Sequence, residues 1–321
     1  MEGLFLTVSS ERALRAVPAG SACAVILGHP LCPDRDAALN KTPAAVSRAV
    51  AAVHELGAQA IIATPPVVLP GDLDRLVSSL ASAVDRGADG FEVSDLGLFR
   101  ALKETFPDRT FVAGPMANVY NRRTLSAFLE KGCSAVCPSI EVPAAGLATL
   151  CAGGAPMMAT VYGRPALAFG PYCLSRWLKD TAGRPGLVGE RPDAERCRQD
   201  CPGLPEQEIR WEAGNAVLLG CGVVAKELYD LYQDLPLLWG MGVRRWRIEG
   251  LLAEDRAGEA AARFKAAWDA LAAGKPLPPR QGLPQGCAGF LWGPAGRATD
   301  QSPQRKLRPP GGVGFVGGGA F

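Results

Sequence analysis

Histidine is nearly absent from this chain: there are two in 321 residues, His29 and His54. That removes His-rich metal sites and every HExxH zinc helix, and leaves little for a Ser-His-Asp triad. An excess of either charge is missing too. Lys+Arg is 34 and Asp+Glu is 32, a net charge of +2, so no basic coat marks an extended nucleic-acid surface. No apolar run reaches the ~20 residues of a membrane-spanning helix. The longest runs, around 60–68 and 155–170, are broken by Pro65, Pro66, Arg164 and Pro165. The opening MEGLFLTVSSERALR has no basic segment leading into an apolar core, so no signal peptide is expected and the reading is cytoplasmic. Aromatics are sparse at 7%, yet 48% hydrophobic residues suffice for a sizeable core.

Short apolar, β-branched runs alternate with longer helix-period segments. Strands are expected at 4–8, 22–27, 60–64, 90–93, 110–113, 135–138, 157–162 and 245–249. Helices are expected between them at 43–56, 72–85, 96–105, 122–130 and 143–150. In the first of these helices Ala45, Val46, Ala49, Val50 and Val53 share one face, Thr42 and Pro43 start it, and Gly57 ends it. This alternation implies a parallel sheet, and about eight strands in a chain of this length favour a single-domain, TIM-barrel-like (β/α)8 fold over an open sheet. The barrel domain is expected over 1–275, a Pro/Gly-rich wrap with Phe290, Leu291 and Trp292 over 276–298, and a disordered, flexible tail over 299–321. Past residue 170 the pattern changes. Residues 173–207 form a polar insertion rich in Arg, Asp, Pro, Gly and Cys; strands at 209–211 and 216–219, and helices at 225–235 and 257–273, follow it.

Ten cysteines stand against the two histidines. In a reducing compartment they are buried thiols, reactive thiols or metal ligands. Cys197 and Cys201 form a C-x3-C pair inside the polar insertion, an unusual setting for a residue that prefers burial. Cys173 opens the same insertion, and Cys32 follows the strand at 22–27. In a barrel both segments emerge at the C-terminal rim, so these four thiols can converge, and four thiolates suit an iron–sulfur cluster or a structural zinc. Cys23, Cys133, Cys137, Cys151, Cys221 and Cys287 lie in apolar settings and read as core.

The segments GHPLCPDR, FEVSDLG, FVAGPMANVYNRRTL, PSIEV, VYGRPALAFGPYC, ERCRQDC and CAGFLWGPAG occur in that order over about residues 1–298. Together they resemble the UbiV-like branch of the collagenase-like peptidase family. That resemblance implies a [4Fe–4S] cluster on Cys32, Cys173, Cys197 and Cys201. It also implies oxygen-independent hydroxylation of ubiquinone precursors together with a UbiU-like partner in a heterodimer. A lipid-carrier protein of UbiT type assists, with prephenate implicated as oxygen source. Other members of the family hydroxylate transfer or ribosomal RNA, so an RNA-modifying hydroxylase is the alternative, with Arg/Lys at 244–247 and in the tail as its basic patches. A divergent member carrying the peptidase label, and a zinc-stabilised scaffold, are further alternatives. The sequence holds no recognisable protease apparatus.

Polar residues that follow barrel strands are candidates for the reaction itself. They are Asp95, Asn118, Glu141 and Glu249, with Tyr120, Asn121 and Arg164 as candidates for substrate binding. Asp95 and Asn121 also stand where a helix cap belongs. A carboxylate in an apolar barrel mouth suits general acid–base work. Arg164 suits a carboxylate such as that of prephenate, or an ion pair.

Overall fold

The computed structural model describes residues 1–8, 10–28, 42–170, 173–174, 207–211, 214–249, 256–280, 282–284 and 286–292. Its largest sheet contains β1 (Gly3–Val8), β2 (Ala24–Leu27), β3 (Gln59–Ala63), β4 (Gly90–Val93), β5 (Thr110–Ala113), β6 (Ala135–Val136), β7 (Met158–Gly163) and β13 (Arg245–Glu249). These eight strands are parallel neighbours in the order β7-β13-β1-β2-β3-β4-β5-β6. A parallel bridge between Val136 and Met157, with Val136 N–H donating to Pro156 C=O at 3.1 Å, brings β6 back to β7. The eight strands expected from the sequence are these, with ends displaced by at most two residues.

The strands read as apolar runs because both faces are covered. Alternate residues point into the lumen, where Phe5, Ile26, Ile61, Val112, Cys137 and Met158 pack together. Their neighbours Leu4, Leu6, Val25, Phe91, Phe111 and Val161 face the helices outside. Those helices are α1 (Glu11–Arg15), α2 (Pro43–Glu55), α3 (Leu73–Val84), α4 (Leu96–Thr105), α5 (Arg122–Glu130), α6 (Ala144–Cys151), α7 (Leu235–Gly240) and α8 (Ala257–Ala272). α2 begins as its sequence dictates: Thr42 Oγ1 accepts from Ala45 N–H at 3.1 Å and Pro43 takes the first turn, where no amide hydrogen is needed.

Between β7 and the last parallel strand the chain leaves the barrel. A separate antiparallel sheet is formed by β8 (Ala166–Phe169), β9 (Gln207–Trp211), β10 (Gly214–Leu219) and β11 (Gly222–Ala225), in the order β8-β11-β10-β9. Val217 and Val224 pack on Met116, from the segment following β5. The sequence reading of 225–235 as a helix is corrected here. The chain instead ends β11 at Ala225, forms the short β12 (Tyr229–Asp230) against β7, and turns through Tyr232–Asp234 into α7. Backbone pairing to Gly163 and Tyr162 and the burial of Tyr229 and Asp230 outweigh the local helical pattern.

Residues 286–292 cross the outside of this region. Cys287 bridges Tyr229, Leu291 C=O accepts from Ala144 N–H at 2.9 Å, and Trp292 Nε1–H donates to Asp234 at 3.3 Å. The tail at 299–321, His29, Cys32, Cys197, Cys201 and most of the 173–207 insertion lie outside the described residues.

Candidate functional site

Period-two alternation along β4 turns Phe91 and Val93 outward and Glu92 into the lumen. The same alternation along β13 turns Arg247 inward beneath Glu249 at the strand's C-terminal end. The three meet in a fully desolvated cluster, with relative exposures of 0% for Arg247, 2% for Glu92 and 4% for Glu249. Arg247 grips Glu92 through both terminal nitrogens, one of them at 3.2 Å to Oε1, and its Nε–H donates to Glu249 Oε1. Thr7 Oγ1–H, on β1, donates to Glu249 Oε2 at 3.0 Å.

One guanidinium thus faces two carboxylates. Burial opposes the charge on Arg247, but Glu249 and Glu92 together outweigh it and hold the guanidinium above its ordinary pKa. Burial pushes Glu92 above the ordinary glutamate value, against the pull of Arg247 and with help from the negative Glu249. Burial thus disfavours the charged form of Glu92. The surroundings are full: a Cβ added to Gly114 would lie 2.9 Å from Glu92 Cδ. Cys137, also wholly buried, feels all three charges, and its Sγ stands 3.7 Å from Thr160 Oγ1.

A second cluster sits at the rim, in the segments following β5 and β6. Tyr120, 45% exposed, donates its phenolic hydrogen to Glu141 Oε2. Ser139 Oγ–H donates to Tyr120 Oη at 3.0 Å, and Glu141 N–H donates back to Ser139 Oγ at 3.4 Å. Partial burial and the carboxylate beside it raise the Tyr120 phenol above its ordinary value. Asn118, in the same segment, holds a left-handed backbone (φ 54°), the one such non-glycine residue among those described.

The sequence candidates fall into different roles. Tyr120 and Glu141 are brought together, whereas Glu249 is placed in the lumen, away from them. Asp95 caps α4, accepting from Leu98 N–H at 2.8 Å, and Asn121 caps α5, accepting from Thr124 N–H at 3.0 Å. Arg164 Nε–H donates to Ala225 C=O at 2.7 Å and ties β7 to the outer sheet. Cys173 is half-buried, and its neighbour Leu174 donates its N–H to Gly220 C=O at 2.7 Å, next to the β10–β11 turn. The basic patch read at 244–247 does not form: Arg247 is buried, and Arg244 lies 3.8 Å over the Trp239 ring while donating to Trp239 C=O. Cys23, Cys133 and Cys137 are thiols that desolvation pushes up to about 12, and Cys151 up to about 11, so these four stay protonated. His54 pairs with Asp89 at 2.9 Å at the opposite end of the barrel from the Tyr120–Glu141 pair.

Glu92, Thr7 and Ser139 were not singled out by sequence reasoning, and Arg247 was read only as part of the 244–247 basic patch. A charge flanked by buried residues in GFEV and RRWRIE was the available signal.

A curled sheet of eight parallel strands paired edge to edge, covered by helices and enclosing a charged cluster, defines a TIM-barrel-like α/β fold. The chain belongs to peptidase family U32, whose profile matches residues 9–281. Among solved structures, the U32 peptidase Mk0906 is 16% identical with a TM-score of 0.45, over 78% of this chain and 92% of that one. A GH18 chitinase from Cycas revoluta is 11% identical with a TM-score of 0.44, over 83% of this chain and 99% of that one. A thiamine phosphate pyrophosphorylase from Pyrococcus furiosus is 16% identical with a TM-score of 0.36, over 49% and 73%. No curated protein matches the chain. Among the described residues, no helix is long and apolar enough to cross a membrane.

Proposed function

We propose that this U32-family chain is a [4Fe–4S] protein acting, with a UbiU-like partner, in the oxygen-independent hydroxylation of ubiquinone precursors. Cys32, Cys173, Cys197 and Cys201 would hold the cluster. The observation that carries the reading is topological. The connection containing Cys32 leaves the C-terminal end of β2, and the connection containing the other three cysteines leaves the same end of the barrel after β7. Cys173, the described member of the set, is half-buried. Its thiol is a soft donor of the kind iron–sulfur clusters take.

Such a cluster supplies electrons when bound. The remaining work belongs to the chain's own groups. Tyr120 and Glu141 hold a proton between them at the rim, in reach of solvent. Arg247 fixes the two lumen carboxylates below. A lipid carrier of UbiT type and prephenate as oxygen donor belong to the same reading.

The test is iron and acid-labile sulfide per chain after anaerobic purification. About four of each, lost in Cys32→Ala, Cys173→Ala, Cys197→Ala and Cys201→Ala but kept in Cys133→Ala, is the expected result. Zinc, or no metal, overturns the proposal.

A further inference from the structure

The segment that follows β8 is pinned to the hairpin joining β10 and β11. That hairpin pairs Leu219 with Gly222, so Gly220 and Cys221 form its two-residue turn. Gly220 holds φ 59°, the positive value such a turn takes at its first position. Gly170 N–H donates to Cys221 C=O at 2.8 Å, and Leu174 N–H donates to Gly220 C=O at 2.7 Å. The Leu174 side chain packs against the cluster of Ala216, Leu218 and Val223, which fixes it on the sheet as well as on the turn.

The bond from Leu174 to Gly220 decides how close Cys173 comes to Cys221. Cys173 precedes the donor, and Cys221 follows the acceptor. Standard peptide dimensions keep two such Cα atoms within roughly 7 Å of each other, and about 4.5 Å apart where the chains run antiparallel. Disulfides span about 4.4–6.8 Å between Cα atoms. Both cysteines are half-buried, so a reagent in solution has access to them. Cys23, Cys133, Cys137 and Cys151 differ in this respect, since burial keeps their thiols protonated.

We propose that Cys173 and Cys221 are a redox modification site, which a low-molecular-weight disulfide such as oxidised glutathione closes into a Cys173–Cys221 disulfide. One cysteine sulfur attacks the oxidant and releases the first glutathione. The other attacks the mixed disulfide so formed and releases the second. The two cysteine protons end on the two glutathione thiols; the protein is oxidised and the oxidant is reduced. The consequence rests on the cluster reading given above. Cys173 is one of the four proposed ligands, so the disulfide takes it out of the set, and a bound cluster in turn withholds it from the oxidant. The disulfide also keeps Cys173 in a form that a thiol restores, which sulfinic and sulfonic acids do not allow.

The experiment takes the full chain, purified in air and stripped of metal by a chelator, and exposes it to oxidised glutathione. The chain is then blocked with iodoacetamide and digested without reduction. Mass spectrometry is expected to find the Cys173 and Cys221 peptides linked in most chains, and dithiothreitol to separate them. In Cys221→Ser the share of Cys173 held in a protein disulfide is expected to fall roughly tenfold. Cys173 recovered alkylated, capped by glutathione, or joined to Cys32, Cys197 or Cys201 in the unsubstituted chain overturns the proposal. Anaerobic reconstitution with iron and sulfide tests the consequence separately. The oxidised chain is expected to take up about a tenth of the iron that the reduced chain does. Equal uptake overturns the mutual exclusion. No uptake by the reduced chain overturns the cluster reading, while the linked peptides still decide the disulfide.

Discussion

The two ends of the barrel lumen treat arginine in opposite ways. At the C-terminal end, Arg247 is wholly buried and held by two carboxylates, which keep it charged. Two positions earlier on the same strand and the same face, Arg245 is half-buried. Its Nε finds no partner among the described residues, and burial lowers its pKa. The lumen admits a full charge where opposite charge is built to meet it, and elsewhere leaves the side chain partly in water. The matched end is also the end at which barrels of this type assemble their sites.

Replacing Arg247 with leucine breaks the contrast most severely. Glu92 and Glu249 would remain buried with no cation, and a loss of about 3–5 kcal/mol in urea unfolding is expected. A loss below about 1 kcal/mol would show that the two carboxylates are neutral or hydrated.

Glu92→Gln is the milder cut. It keeps an acceptor for Arg247 and removes the unmatched negative charge, so a change of about 1 kcal/mol is expected near neutrality. Its signature is in the pH dependence. Folded Glu92 binds its proton more tightly than the unfolded chain does. The wild-type protein therefore loses stability as pH climbs from the ordinary glutamate range toward the raised folded value. The variant should lack that decline, and parallel unfolding curves for the two proteins across this range would refute the assignment.

Arg245→Met sharpens the other side. Among the described residues no ion pair is lost and a half-buried, unpartnered nitrogen is removed, so stability should stay within about 0.5 kcal/mol of wild type. A larger loss would reveal a carboxylate or anion bound at the N-terminal end.

Most of the barrel was legible because its strands are covered on both faces and its helices are amphipathic and capped. Thr42, Asp95 and Asn121 serve as caps where their sequence contexts place them. The lumen cluster was harder to read. Glu92 and Arg247 are separated by 155 positions, and nothing local says that one will neutralise the other. Arg247 is flanked by Arg244 and Arg245, so the strand resembles a basic surface, although Trp246 and Ile248 on either side are buried. The segment 225–235 misled for a related reason. Its apolar spacing fits a helix, but the open edge of β7 offers Tyr229 and Asp230 backbone partners that local pattern does not reveal. The rim pair was visible only as separate residues, Tyr120 and Glu141, because a 21-residue separation hides their contact.

The pairing of β1 with β13 has a consequence for how the chain is made. β1 ends at Val8 and its partner begins at Arg245, so one edge of the first strand waits while the ribosome completes most of the polypeptide. At ordinary synthesis rates the wait is on the order of ten seconds or more. Glu92 waits as well, since its counter-ion is translated on the same late strand. Chaperone engagement of the nascent chain should therefore persist until Arg247 clears the exit tunnel, and truncation just before β13 should yield a chain that is captured rather than released.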